Sequence, residues 1–334
     1  MIRSSSVMAR IAMALIVALI HVAAPAQSAS IIRVDGSSTV FPITDAAAEA
    51  FYRSRKGAVT FAIGISGTGG GFKKFCRGDT DISNASRPIL RAEMEDCAAN
   101  RVRYLELPIA YDALTVVVAT RNPMSAISVE ELKIMWEPEA QGRISRWNQV
   151  NPAFPSSPLR LFGAGRDSGT FDYFTEAIVG AAKSSRRDYI ASEDDNVLVA
   201  GVSKDPFAIG FMGFAYYVEN RSRLKALAIS QGGSRPVTPS LETVVSGAYQ
   251  PLSRPIFIYV AEQAMEKPEV RGFVDFYNRG AAKLVRQAKY VPLPDGAYLN
   301  NLHTLQTRRW GTLFRGENKI GLTIDELLKI EARQ

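Results

Sequence analysis

The sequence predicts an α/β protein built from mostly parallel, doubly wound sheets. Strand-like apolar runs alternate with helix-like runs from Ile31 onward, and hydroxyl and glycine residues gather where strands hand over to helices. The chain has 334 residues, 46% of them hydrophobic, which exceeds one comfortable core, so two lobes are expected.

Taken in order, Ile31 to Asp35 reads as a strand, Pro42 opens an Ala-rich helix to about Arg53, and Val59 to Ile65 is a second strand. A short helix carrying Phe72 and Phe75 begins inside the glycine run. A strand near Ile82, a helix over Ala92 to Ala98 and strands at Val102 to Leu107 and Leu114 to Ala119 follow. Ser128-Val129-Glu130-Glu131 is a capping box that opens a helix to about Met135. A loop over Asn148 to Pro158 leads to a strand at Leu159 to Phe162 and a helix at Phe171 to Val179. Asp194 to Val202 and Leu241 to Ser246 read as helices, Ile209 to Met212 and Pro255 to Val260 as strands, and Pro268 opens a helix through Tyr277. Thr323-Ile324-Asp325-Glu326 is a last capping box, with Ile324, Leu327 and Leu328 on the packing face.

The N-terminus reads as an export signal over residues 1–26. Arg3 and Arg10 flank a polar start, Ile11 to Ile20 is uninterruptedly apolar, and Ala24-Pro25-Ala26 supplies small residues for cleavage. The run is shorter than the roughly 20 residues a membrane span needs, so the mature chain is expected to be soluble and periplasmic. An oxidising compartment would join Cys76 to Cys97, the only cysteines, and a loop of that size contributes about 3 kcal/mol by restricting the unfolded chain. No metal is expected, because His21 leaves with the signal and His303 is then the only histidine. The net charge of +7 is scattered, with no Lys/Arg stripe interleaved with aromatics, which points away from nucleic acid and weakly toward an anionic ligand.

Three segments carry the chemistry: Gly36-Ser37-Ser38-Thr39, Ser66-Gly67-Thr68-Gly69-Gly70-Gly71 and Asp167-Ser168-Gly169-Thr170. Each stands between a strand and a helix, where glycine admits a close backbone approach, a helix start leaves N–H groups unpaired, and Ser or Thr adds a donor. One such turn is ordinarily a helix cap. Three of them, at the carboxyl ends of strands in an open α/β sheet, predict a shared oxyanion cleft between lobes.

The segments Asp35–Pro42, Ser66–Cys76, Asp81–Pro88, Gly163–Phe171 and Ala208–Ala215 resemble, in order, the periplasmic phosphate-binding subunits of phosphate ABC importers. The match runs from about Ile31 to at least Tyr277. The resemblance implies a type II-like periplasmic binding protein of two α/β lobes, 30–115 with 255–334 and 116–254. Crossover strands near Leu114 to Ala119 and Pro255 to Val260 would join them and allow hinge closure. It also implies a monomer that binds inorganic phosphate, hands it to an inner-membrane ABC permease with its ATPase, needs no cofactor and performs no catalysis.

Carried over by position, the resemblance places Ser38, Thr39 and Val40 on the ligand, offers Ser66 or Thr68 from the second loop, and adds Ser168, Gly169 and Thr170 from the third. Where relatives have an Asp, this chain has Arg87, and the basic residue they place before the third loop falls on Ala164, with Arg166 nearby. Arg87 is therefore expected on the anion. The carboxylate that accepts the phosphate proton must come from elsewhere: Asp167, Asp35 and Asp81 are open candidates, with Arg166 as a charge partner. A receptor for sulfate, molybdate or arsenate is the alternative on the same fold. A serine hydrolase is disfavoured, because neither Gly165–Gly169 nor Gly64–Thr68 has the G-x-S-x-G spacing and only His303 could serve as a base. Nucleotide-binding glycine patterns are missing as well.

Overall fold

A computed structural model describes residues 30–332; the expected signal at 1–26 lies outside the described residues. The chain begins as read from its sequence, with β1 (Ser30–Gly36), α1 (Phe41–Ser54), β2 (Val59–Ile63), α2 (Gly67–Phe75), β3 (Ile82–Ala85) and α3 (Arg91–Ala99). β4 (Tyr104–Ala119) is then one strand of 16 residues, all buried, where the sequence suggested two. Pro108 lacks an N–H, but it sits at a register shift, where Ile256 faces Ala110 and Phe257 faces Pro108. Asp112 does not break the strand because it lies opposite Arg254.

The middle of the chain forms β5 (Ala126–Ser128), α4 (Val129–Trp136), β6 (Arg160–Ala164), α5 (Gly169–Val179), β7 (Ile190–Ser192), α6 (Asp195–Lys204), β8 (Ala208–Gly213), α7 (Phe214–Glu219), β9 (Leu224–Ala226), β10 (Ala228–Ser230) and α8 (Leu241–Val245). It returns through β11 (Ser253–Ala261) and ends in α9 (Pro268–Gln287), β12 (Val291–Pro292), α10 (Asp295–Thr307) and α11 (Ile324–Glu331). The expected capping boxes form: Glu131 N donates to Ser128 Oγ at 3.0 Å, and Glu326 N donates to Thr323 Oγ1 at 3.3 Å. Each such cap is worth about 1 kcal/mol.

The main sheet runs β2-β1-β3-β11-β4-β8-β6-β7. β1 pairs parallel with β2 and β3, and β6 pairs parallel with β7 and β8. Between these parallel sections the sheet is antiparallel, because β11 opposes both β3 and β4, and β4 opposes β8. The doubly wound α/β class holds, with an antiparallel centre in place of a mostly parallel sheet. Phe51 of α1 packs edge-on to Phe273 of α9, and Trp136 packs on Phe174 and Phe211, anchoring helices on the two sections. Cys76 and Cys97 form the expected disulfide and tie α2 to α3. The carboxyl ends of β1, β3 and β6 all face the middle of the sheet, where the three hydroxyl loops meet.

Candidate functional site

The first loop is shaped by its glycine. Gly36 has φ +133°, and a Cβ there would lie 2.2 Å from the Asn84 carbonyl oxygen, so only glycine lets Ser37 N donate to that oxygen at 3.0 Å. Phe41 N then turns back to donate to Ser37 O at 3.1 Å. The carbonyls of Ser38 and Thr39 are fixed by phenols, accepting from Tyr216 Oη at 3.1 Å and Tyr290 Oη at 2.7 Å. In planar trans peptides the N–H groups of Thr39 and Val40 point opposite to those carbonyls, and the N–H of Ser38 points opposite to Ser37 O, which accepts from Phe41 N. Among the described residues they find no acceptor.

The second loop splits its two candidates. Ser66 N and Oγ both donate to Asp35 Oδ1, at 3.1 and 2.5 Å, so its hydroxyl is committed to holding the loop. Lys74 Nζ donates to the other oxygen at 2.5 Å; although burial opposes it, Lys74 and Ser66 keep the Asp35 carboxyl below its ordinary range. Thr68 is wholly buried and turns inward: its Oγ1 lies 3.1 Å from Ser86 Oγ and accepts from Ser86 N at 3.1 Å.

The third loop closes on the other two. A Cβ at Gly169 would lie 2.6 Å from Thr68 Oγ1 and 2.7 Å from Ser86 Oγ, so the glycine brings these hydroxyls directly against its backbone. Ser168 Oγ caps α5 by accepting from Thr170 N at 3.1 Å, and the Gly169 N–H remains free among the described residues. Thr170 Oγ1 sits 3.0 Å from Thr39 Oγ1, joining the third loop to the first.

At the meeting point stands Arg254 of β11, 1% exposed. Its Nη1 donates to Gly169 O at 3.0 Å and its Nη2 to Thr170 Oγ1 at 2.7 Å, while Asp112 Oδ2 is farther, at 3.3 Å. Its Nε–H is buried and has no acceptor among the described residues. Two fully buried carboxylates border this cation. Burial pushes Asp112 up to about 6, with Arg254 opposing the shift. Burial pushes Asp195 up to about 7 against the hydrogen bond from Ser38, and the charge of Asp112 adds to the shift; Ser38 Oγ donates to Asp195 Oδ2 at 3.3 Å. The result is a buried cleft with surplus N–H and O–H donors, one guanidinium left incompletely paired among the described residues, and a buried carboxylate, Asp195, that accepts from Ser38.

The sequence-expected residues divide accordingly. Ser38, Thr39, Val40, Thr68, Ser168, Gly169 and Thr170 converge, whereas Ser66 is tied back to Asp35. Arg87 does not face the cluster with free donors. Its Nε donates to Asp172 at 2.8 Å, Nη1 to Pro88 O and Glu93, and Nη2 to Glu93 at 2.7 Å. Burial acts against its charge, but Glu93 and Asp172 hold the guanidinium above its ordinary range. Asp167 lies on the rim, half exposed, with Lys73 Nζ on its carboxylate at 2.9 Å and Gly69 N on its carbonyl at 2.7 Å. Arg166 is exposed, and Asp81 is held by Arg33 N and Lys267 away from the loops. Sequence reading missed Ser86, Asp112, Asp195 and Arg254. Asp112 and Arg254 did leave a signal, each being a lone charge within or beside an apolar strand.

Comparison with known proteins identifies the family. The PBP superfamily domain pattern matches residues 22–279. The chain belongs to that superfamily. Protein SphX of Synechococcus elongatus is 49% identical to this family member over 92% of each chain. The phosphate-binding protein PstS of Staphylococcus saprophyticus is 35% identical over 79% of this chain and 81% of its own. Among solved structures, a possible phosphate binding protein from Planctomyces limnophilus is 42% identical, with a TM-score of 0.61, covering 84% of this chain and 98% of that one.

Proposed function

We propose that this chain is an extracytoplasmic receptor that binds inorganic phosphate in the cleft and delivers it, unchanged, to an inner-membrane ABC permease and its ATPase. The observation that carries this reading is Arg254: a wholly buried guanidinium whose Nε–H, among the described residues, lacks an acceptor, set among N–H groups of two loops that are likewise free there. A buried donor left unpaired costs about 1–3 kcal/mol, and a tetrahedral oxyanion supplies acceptors for several at once. Micromolar binding needs about 8 kcal/mol, and hydrogen bonds to a charged group contribute about 1.5–3 kcal/mol each, so the donors of Ser38, Thr39, Val40, Thr68, Ser86, Ser168, Gly169, Thr170 and Arg254 suffice.

Asp195 gives the selectivity. A buried carboxylate beside Ser38 would set lone pairs against those of sulfate or molybdate, which carry no proton at neutral pH. Hydrogenphosphate offers an O–H to it instead. In this reading Asp195 takes the part considered for Asp167, and Arg254 the part considered for Arg87. Ser168 is a helix cap, and His303 is exposed on α10, so the third loop holds its ligand without attacking it.

The binding mechanism also rests on two lobes, 30–115 with 255–334 and 116–254, that close on the anion. β4 supports this division, since it pairs with β11 up to Ala113 and with β8 from Leu114. Export through the 1–26 signal, a periplasmic location and a monomeric state complete the proposal; among the described residues no helix is long and apolar enough to cross a membrane. Calorimetric titration with phosphate, arsenate and sulfate tests it. Phosphate and arsenate should bind at micromolar concentrations or below, with sulfate about a hundredfold weaker. Equal sulfate affinity would overturn the role of Asp195, and the absence of phosphate binding would overturn the function.

A further inference from the structure

A polar cavity of about 260 Å³ lies at the other end of β4, walled by Glu106, by Asn300 and Thr304 of α10, and by Arg309, Trp310 and Glu331. Glu106 is six residues along the strand from Asp112, which places the cavity about 20 Å from the anion cleft. The Glu106 carboxylate is well supplied with donors. Its Oε2 accepts from Tyr259 Oη at 2.6 Å and Thr312 Oγ1 at 2.5 Å, and its Oε1 from Leu313 N at 2.8 Å.

Glu331, at the end of α11, differs. Only 5% exposed, it has a buried Oε1 with no donor among the described residues. Arg309 shares the wall but turns its Nη2 to Asn300 Oδ1 at 3.2 Å and Thr304 Oγ1 at 2.6 Å, and among the described residues it forms no ion pair with Glu331. Burial pushes Glu331 up to about 7, with Arg309 opposing and Glu106 adding to the shift. Two carboxylates against one guanidinium leave the lining short of positive charge and of one strong donor. The space exceeds that of one water, about 30 Å³. Among the described residues no group of three or more acidic, His or Cys side chains could hold a metal ion.

We propose that this cavity binds a small primary ammonium compound, its –NH3⁺ donating to Glu331 Oε1 in the field of Glu106, with its carbon atoms against Trp310. A simple amine and a zwitterionic amino acid both carry that group, and only the second has a carboxylate for Arg309. Titrating the full chain at pH 8 with methylammonium, ethanolamine and glycine separates them. Glycine binding more tightly than ethanolamine assigns the amino acid, and the reverse order the amine.

Glu331→Gln, which keeps the shape, and Asn300→Phe, which fills the cavity from a half-exposed helix position, should each weaken binding about tenfold or more. Phosphate titration of the same samples reports whether each variant is folded; should Glu331→Gln unfold, Asn300→Phe decides. Failure of all three probes to bind, or binding that survives substitution in a folded variant, overturns the proposal and leaves the phosphate reading untouched.

Discussion

The tetrapeptide Ser-Arg-Pro-Ile occurs at Ser86–Ile89 and again at Ser253–Ile256, and the two arginines, each 1% exposed, stand in opposite surroundings. Arg87 meets two carboxylates and a carbonyl at ordinary hydrogen-bond distances. Arg254 meets one carboxylate at a longer distance, a carbonyl and a hydroxyl, and among the described residues keeps a donor unpaired. A third Ser-Arg-Pro, Ser234–Pro236, is simply exposed. The same local sequence thus serves as a structural bolt, a ligand-facing cation or a surface turn. What separates the two buried cases is how fully the surroundings satisfy the guanidinium: a completed charge holds the fold, and an incomplete one holds a ligand.

The largest effect is expected at the bolt. Arg87→Met leaves the buried Asp172 and the partly buried Glu93 without their cation, so urea unfolding should show a loss of about 3–5 kcal/mol, while the folded fraction binds phosphate within threefold of the parent. Arg254→Met should act on the ligand, weakening phosphate by two to three orders of magnitude, about 3–4 kcal/mol by calorimetry. Replacing Cys76 and Cys97 by Ser tests the structural side again. Denaturation should report a loss of about 3 kcal/mol with unchanged anion affinity, because the disulfide ties α2 to α3 behind the cleft.

The smallest expected change is at Asp195. Asp195→Asn should narrow the phosphate-to-sulfate preference by about tenfold, since an amide no longer repels an unprotonated oxyanion. It should also flatten a pH dependence. The native carboxyl is raised from 3.8 to about 7, so without ligand the folded state binds more protons than the unfolded one between those values. Stability therefore falls as pH rises from about 4 to about 7, and in melting curves recorded from pH 4 to 8 the variant should lose the Asp195 share of that slope, while the raised Asp112 and Glu331 carboxyls keep theirs.

Much of the fold was legible because its signals are local. Capping boxes at Ser128 and Thr323, Pro42 and Pro268 at helix starts, and the hydroxyl–glycine loops each mark an element by nearby chemistry. From sequence β4 looks like two strands, since Pro108 and Asp112 interrupt its apolar run and their compensation comes from Ile256 and Arg254, far along the chain. The site divides in the same way. Ser38, Thr39, Thr68 and Thr170 are visible in their loops, whereas Asp195 is masked by Asp194, the actual cap of α6, whose side chain accepts from Asn196 N. Arg254 shows only as a lone charge beside an apolar strand, because nothing adjacent in sequence says which partners a buried arginine meets.

Side-by-side calorimetry of Arg87→Met and Arg254→Met with phosphate tests the central claim most directly, provided both are measured at a temperature where each remains folded. The structure predicts near-parental affinity for the first and a loss of a hundredfold or more for the second. Lost affinity in Arg87→Met with binding retained in Arg254→Met would contradict it, returning the anion-facing role to the first Ser-Arg-Pro-Ile.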